Sequence, residues 1–174
     1  MDHLRALIRT IPDFPEPGIE FRDLTTLFLD AEGFRATVQA LADQYRAAEI
    51  DMVLGVESRG FILAAPLAVA LGTGFVPIRK PGKLPGETFG VEYTLEYGED
   101  RLEIHKDALP LGARVLMVDD LLATGGTLEA ACKLVERMGC EVVGCAVVVE
   151  LVDLKGRERL KPHRVTNLIE FNGK

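Results

Sequence analysis

The chain has no surplus of positive charge: 20 lysines and arginines stand against 27 aspartates and glutamates in 174 residues, a formal charge of −7. Coating a nucleic-acid duplex requires excess cations to neutralise phosphates, so that role is excluded and any anion site has to be local. Cysteine is sparse as well. Cys132, Cys140 and Cys145 show neither metal-ligand spacing nor an even disulfide framework, and they sit among apolar residues, which is the pattern of reduced thiols in a cytoplasmic core. The opening MDHLRALIRTI has scattered charges and no cleavable apolar run, so it does not read as a signal peptide. The longest apolar stretch, Phe61 to Gly72, is shorter than the roughly 20 residues a bilayer span needs. It reads as a buried helix, and no membrane partner is expected. Internal repeats and low-complexity tracts are also missing. So are two nucleotide signatures: no glycine-lysine-Ser/Thr follows GVESRGF, ATGGTLE has no lysine, and nothing spells Gly-x-Gly-x-x-Gly.

What is present is enough for one domain with a single substantial core, since a chain of this length buries roughly 70% of its unfolded surface. Phe34, Val38, Leu41 and Tyr45 follow helical spacing. Four continuously apolar runs read as strands: Asp51 to Glu57, Gly74 to Ile78, Arg114 to Val118 and Glu141 to Leu151. After the third comes a helix with Leu128, Ala131, Cys132, Val135 and Met138 on one face and Gly139 as its stop. Strands of this kind alternating with helices imply an α/β fold with a central, mostly parallel sheet covered on both sides. Gly90 to Asp107 differs. Val91, Tyr93, Leu95 and Tyr97 alternate with Glu92, Thr94 and Glu96, and Gly98-Glu99-Asp100 follows as the expected turn, giving a two-stranded antiparallel arm standing off the sheet. The glycine- and proline-punctuated stretch Arg79 to Gly90 marks a long loop before it, of the kind that often serves as a lid.

The stretch VLMVDDLLATGGTLEAA, Val115 to Ala131, combines a strand, paired acids, a small-residue turn and a helix start. Asp119 and Asp120 fall at the carboxyl end of the third strand, where ligands of parallel sheets collect. Successive strand residues face opposite ways, so one carboxylate meets a given ligand, or both do through a twisted strand end. As pure acceptors, carboxylates suit sugar hydroxyls or the water shell of magnesium. Ala123, Thr124, Gly125, Gly126 and Thr127 supply hydroxyls, close backbone approach and the amino end of a helix, which suits a phosphate monoester. Together these describe a ribose 5-phosphate unit. GVESRG, Gly55 to Gly60, offers a second anion site through Arg59, and Arg79, Lys80 and Lys83 form the densest basic patch. A salt-bridged Arg59, a solvated basic loop and core-packed Phe21 and Leu154 are the corresponding structural alternatives. His3, His105 and His163 are isolated and read as surface residues.

VLMVDDLLATGGT resembles the phosphoribosyl pyrophosphate motif of the type I phosphoribosyltransferases, and its ATGGT ending resembles the adenine branch of that family. The likeness continues in order through IPDFPEPGIEFRDLTTL, ESRGF, IRKPGKLPG, LEYGEDRLEIHKDAL and LVDLKGRERL. It implies the type I phosphoribosyltransferase fold in one domain over residues 1–174, with a hood from about 1–30 and 152–174 and a flexible loop and arm over about 80–107. It also implies transfer of phosphoribose from phosphoribosyl pyrophosphate to adenine, with Mg2+, in a cytoplasmic homodimer. On the same likeness Glu96, with Asp119 and Asp120, is catalytic, meeting the imidazole ring of adenine; Tyr97 beside it anchors or closes the arm. Glu57, Ser58, Arg59, Arg79, Lys80 and Lys83 serve pyrophosphate, with a non-proline cis peptide around Glu57-Ser58 and with Arg79 or Lys80 reaching across the dimer. Glu20, Phe21, Arg22 and Leu154 surround the base, Glu20 standing where the family often has an apolar residue. Asp119 and Asp120 hold the metal indirectly, through water and substrate. A phosphoribosyltransferase for another purine base, and a non-catalytic regulator that senses the same ribosyl substrate, are the rival readings.

Overall fold

The computed structural model describes residues 1–95 and 98–173, so Glu96 and Tyr97 lie outside the described residues. The chain begins with α1 (Asp2–Ala6), the antiparallel hairpin of β1 (Arg9–Pro12) and β2 (Glu20–Asp23), then α2 (Thr25–Leu29) and α3 (Ala31–Tyr45). Next come β3 (Met52–Val56), α4 (Arg59–Leu71) and β4 (Gly74–Ile78), followed by an antiparallel pair, β5 (Thr88–Leu95) and β6 (Gly98–His105). β7 (Arg114–Leu122), α5 (Gly126–Arg137) and β8 (Glu141–Leu151) complete the central unit. A 3-10 turn at Val152–Leu154, α6 (Gly156–Arg159) and β9 (Val165–Phe171) follow.

The four apolar runs become β3, β4, β7 and β8 of one parallel sheet in the order β4-β3-β7-β8-β9. β9, an edge strand, is an addition to the sequence reading. The sheet is covered on both faces, as continuous apolar strands require. On one side Leu54, Val76, Met117 and Val147 pack with Leu128, Ala131 and Val135 of α5 and with Val91, Leu102 and Ile104 of the arm. On the other, Val53, Leu116, Val118 and Val148 pack with Leu4, Leu27, Leu41, Tyr45, Leu63 and Leu67 of α1 to α4. α3 starts at Asp30, whose side chain accepts the Gly33 amide at 2.7 Å. α4 ends at Gly72 in the left-handed conformation that a side chain disfavours. The three cysteines are free and buried, Cys132 and Cys145 with sulfurs 3.6 Å apart.

Two expectations about the arm change. Gly98, Glu99 and Asp100 belong to β6, opposite Leu95, Thr94 and Tyr93, so they are paired strand residues and not the turn. Residue type suggested a turn there, but ladder pairing takes these positions. Nor does the arm stand free: its apolar face is part of the core, and backbone bonds between Arg79 and Glu103 tie it to the end of β4.

β3 and β7 are neighbours, yet the chain leaves β3 towards one edge of the sheet and leaves β7 towards the other. The crevice between their carboxyl ends is therefore the switch point of the sheet. β7 pairs with β3 only as far as Val118, while its last residues continue alongside β8 to Leu122. That overhang carries Asp119 and Asp120 past the end of β3, into the space where α4 begins.

Candidate active site

α4 enters that space at close quarters. A Cβ on Gly60 would stand 3.0 Å from the Val118 carbonyl oxygen and 3.2 Å from Asp119 Oδ1, so Gly60 lets the start of α4 lie against the end of β7. The peptide between Glu57 and Ser58, just ahead of it, is cis, as the family likeness implies. Arg59, half-exposed, places its Nε 2.7 Å from Oδ2 of Asp120, a carboxylate only 3% exposed.

The two adjacent acids thus have different surroundings. Asp119 faces a cleft of about 200 Å3 together with Arg59, Leu121, Leu122 and the whole turn Ala123 to Thr127. Asp120 does not line it; its buried carboxylate is held by Arg59. The alternation expected of a strand separates the pair. Withdrawal from water, and next the neighbouring Asp120, push the pKa of Asp119 well above the ordinary carboxylate value. The Asp120 amide donates to Asp119 Oδ1 at 2.9 Å, which orients that side chain.

The turn itself ends at Gly125, which caps α5 at φ +83 with no side chain bonded to the helix end. The first helical bond runs from the Glu129 amide to the Gly125 carbonyl. The amides before Glu129 have no carbonyl partner within the helix and gather at the positive end of its dipole. With the hydroxyls of Thr124 and Thr127 beside them, they form a cradle for a tetrahedral dianion.

A second cleft of about 480 Å3 adjoins the first and shares Arg59, Leu121, Ala123 and Thr124 with it. Its remaining lining is Ile19, Glu20, Phe21 and Arg22 from the hairpin and Leu151 and Leu154 from the end of β8 and the 3-10 turn. Phe21 stacks edge-on against Phe14 at 5.2 Å, and Arg59 lies over its ring at 5.9 Å. The Glu20 carboxylate pairs with Arg22, whose guanidinium also donates to Thr10 and lies 4.4 Å over Phe171. The cleft thus offers an aromatic face from Phe21 and aliphatic surface from Leu151 and Leu154, surroundings of the kind that take planar apolar rings.

The basic loop is not gathered into either cleft. Arg79 Nε bonds Glu57 at 2.8 Å, Lys80 pairs with Asp100 at 2.9 Å, and Lys83 is exposed. Asp100 also accepts the Tyr93 hydroxyl at 3.3 Å, and Tyr93 in turn neighbours Thr127 of the turn. β6 pins this loop further: Glu103 accepts the Gly82 amide at 3.3 Å, and His105 Nε2 lies 2.8 Å from the Pro85 carbonyl. His105 is therefore a loop anchor, a role its isolation in the sequence concealed. Among the described residues no group of three or more His, Cys, Asp or Glu side chains is arranged to hold a metal ion.

A family model described as a phosphoribosyl transferase domain matches residues 26–173. The adenine phosphoribosyltransferase of Clostridium perfringens is 56% identical over 169 residues, covering 97% of this chain and 98% of that protein. That of Chloroflexus aurantiacus is 57% identical over 168 residues, covering 97% of each. Among solved structures, adenine phosphoribosyltransferase from Thermoanaerobacter pseudethanolicus superposes with a TM-score of 0.95 at 49% identity, over 98% of this chain and 99% of that one. The Saccharomyces cerevisiae enzyme, crystallised with adenine and an imino-altritol bisphosphate, gives 0.91 at 42% identity, over 96% and 97%.

Proposed function

The chain belongs to the adenine phosphoribosyltransferases, which convert adenine and phosphoribosyl pyrophosphate to AMP and pyrophosphate in purine salvage, and we propose that its two adjoining clefts divide that chemistry between them. The observation that carries this division is the shared wall. Two clefts, one lined by a helix-capping turn and an acid, the other by an aromatic and an aliphatic face, meet at Arg59, Leu121, Ala123 and Thr124. A sugar phosphate in the first and a base in the second would meet there.

On this reading Ala123, Thr124, Gly125, Gly126 and Thr127 hold the 5-phosphate, and Glu20, Phe21, Arg22 and Leu154 surround adenine. The C1′–oxygen bond of the substrate breaks with its electron pair leaving on pyrophosphate, a ring nitrogen of adenine forms the new bond to C1′, and the imidazole N–H proton that adenine loses passes to solvent or to the departing pyrophosphate. Positive charge that builds on the ribose between these events is met by Asp119, while Asp120 keeps Arg59 oriented toward the departing phosphates. Glu57 and Ser58 contribute at the mouth of that site, and Arg79, Lys80 and Lys83 add cations from the loop. Glu96 is assigned its role at the imidazole ring of adenine on the family likeness alone.

Magnesium suits this donor set as a substrate-borne ion. The carboxylates are hard donors, but they are too few for a protein cage and one is engaged by Arg59. Asp119 would hold the ion through water and it would supply charge neutralisation on the pyrophosphate, whereas Asp120, expected from the family likeness to share that role, is buried against Arg59 outside the cleft and would not reach it.

We further propose one domain with the hood and arm boundaries given above, in a cytoplasmic homodimer. The free buried cysteines favour a reducing compartment, and no helix among the described residues is long and apolar enough to cross a membrane. Ile62 and Val69, seven residues apart on α4, are 40% and 81% exposed and offer an apolar stripe to a second copy. The test of function is to incubate the protein with phosphoribosyl pyrophosphate, Mg2+ and adenine, hypoxanthine, guanine or xanthine in turn. AMP from adenine alone is expected. Product from another base in preference would overturn the base assignment, and binding without turnover on any base would point to a sensor.

A further inference from the structure

α6 is only four residues long, yet it is fastened at both ends. Arg157, on its first turn, carries three kinds of partner at once. Its Nε donates to Glu150 Oε1 at 3.1 Å and its second amino group to Glu150 Oε2; its first amino group donates to the Val165 carbonyl at 2.7 Å, and Asn167 Oδ1 accepts at 2.8 Å. Glu150 belongs to β8 and is 4% exposed, while Val165 and Asn167 belong to β9. A buried carboxylate matched by a forked guanidinium defines one geometry and tolerates few others. At the far end, Arg159 Nε donates to Glu129 of α5 at 3.0 Å and Leu160 is buried beneath that helix.

Immediately ahead of Arg157 lies Gly156, pressed onto the cleft turn. A Cβ at Gly156 would stand 2.1 Å from the Ala123 carbonyl oxygen, and a Cβ at Gly125 would stand 2.6 Å from the Gly156 carbonyl oxygen. The two glycines therefore meet backbone to backbone, and the outer side of the anion turn is formed against α6. Gly156 and Arg157 line neither of the two clefts.

Resting on the reading that the turn takes the 5-phosphate, we infer that Gly156 and Arg157 are positioning residues: Arg157, locked to β8 and β9, holds the Gly156 backbone against Ala123 and Gly125 and so sets how the turn opens to the phosphate. An amide cradle gains its strength from being held in shape beforehand, so loosening its backing weakens phosphate binding without altering any group that touches the ligand.

Three variants test this: Arg157→Lys, which keeps the charge but loses the fork; Asn167→Ala, which removes one of its bonds; and Gly156→Ala, which forces the contact apart. Affinities for ribose 5-phosphate and for adenine are measured by calorimetry, KM for phosphoribosyl pyrophosphate and kcat by steady-state assay, and folding by thermal melting. Arg157→Lys and Asn167→Ala should weaken ribose 5-phosphate and raise that KM by about ten- to a hundred-fold, with adenine affinity unchanged. Gly156→Ala should do so at least as strongly, and if it fails to fold the other two variants decide. Ribose 5-phosphate affinity within about two-fold of the parent in both of those variants would overturn the inference. So would a parallel loss of adenine affinity, which marks general loosening. If the parent protein itself does not bind ribose 5-phosphate, or Gly125→Ala leaves that binding intact, the phosphate assignment of the turn fails and this inference falls with it.

Discussion

Replacing Gly125 by alanine attacks the cleft turn in two separable ways. Its φ of +83 lies in the left-handed region, where an L side chain costs roughly 1–2 kcal/mol. For a chain of this size each kcal/mol lowers the melting temperature by about 2–4 °C, so the conformational part alone predicts a fall of roughly 2–8 °C. The second part is steric. The new Cβ would lie 2.6 Å from the Gly156 carbonyl oxygen, and ordinary contact begins near 3.4 Å, so the turn or α6 must give by roughly 0.8 Å. Misplacement of about that size at a binding constellation costs on the order of a hundred-fold in rate. Gly72 supplies the control: its φ is +72, nothing lies within 4 Å of a Cβ there, and it is remote from both clefts. Gly72→Ala should show the melting shift with full AMP formation, while Gly125→Ala should show a similar or larger shift and lose about two orders of magnitude in kcat/KM for phosphoribosyl pyrophosphate. Equal activity in the two variants would refute the claim that the close approach of Gly125 and Gly156 shapes the site.

The raised pKa of Asp119 predicts that AMP formation is lost on its acid side at a pH above the ordinary carboxylate range, where this acid takes up a proton; Asp120→Asn removes a neighbouring negative charge and should move that limb to lower pH, and an unmoved limb in a pH–kcat/KM profile would count against the pairing. Hydrogen bonds from Thr25, then Arg9, hold Asp23 down at about 2, below its unfolded value of 3.8. The stability this supplies is fully present above pH 4 and disappears as pH falls toward 2. Asp23→Asn should therefore lower the urea midpoint at pH 7, with the gap to the parent closing between pH 4 and 2.

Central strands and the cleft turn were legible because their signals are local. Continuous apolar runs announced β3, β4, β7 and β8, and Gly125 and Gly126 after paired acids announced the turn. β9 was not legible, since Thr166, Asn167 and Glu170 dilute an edge strand whose burial is only partial. The hairpin of β1 and β2 has four residues per strand, with Pro12 and several charges, and its pairing joins segments separated by the long Asp13 to Ile19 connection. Alternation along β7 said that Asp119 and Asp120 diverge, but not which one meets the cleft; that is seen only from the fold, where Asp120 pairs with Arg59, 61 residues earlier, and Asp119 lines the cleft. Gly156 and Arg157 lie inside LVDLKGRERL, one of the stretches that carry the likeness, but no role could be read for them there, because their meaning lies in distant contacts with Ala123, Gly125 and Glu150.

The cleft assigned to the base borrows its walls from opposite ends of the polypeptide, Ile19 to Arg22 and Leu151 to Leu154, whereas the cradle assigned to phosphate is written in one continuous stretch from Ala123 to Thr127. On those assignments, substitutions at Ile19 to Arg22 can change which ring is taken without touching the stretch that holds the sugar phosphate, whereas the segment after Leu154 leads directly into Gly156 and so into the backing of that cradle.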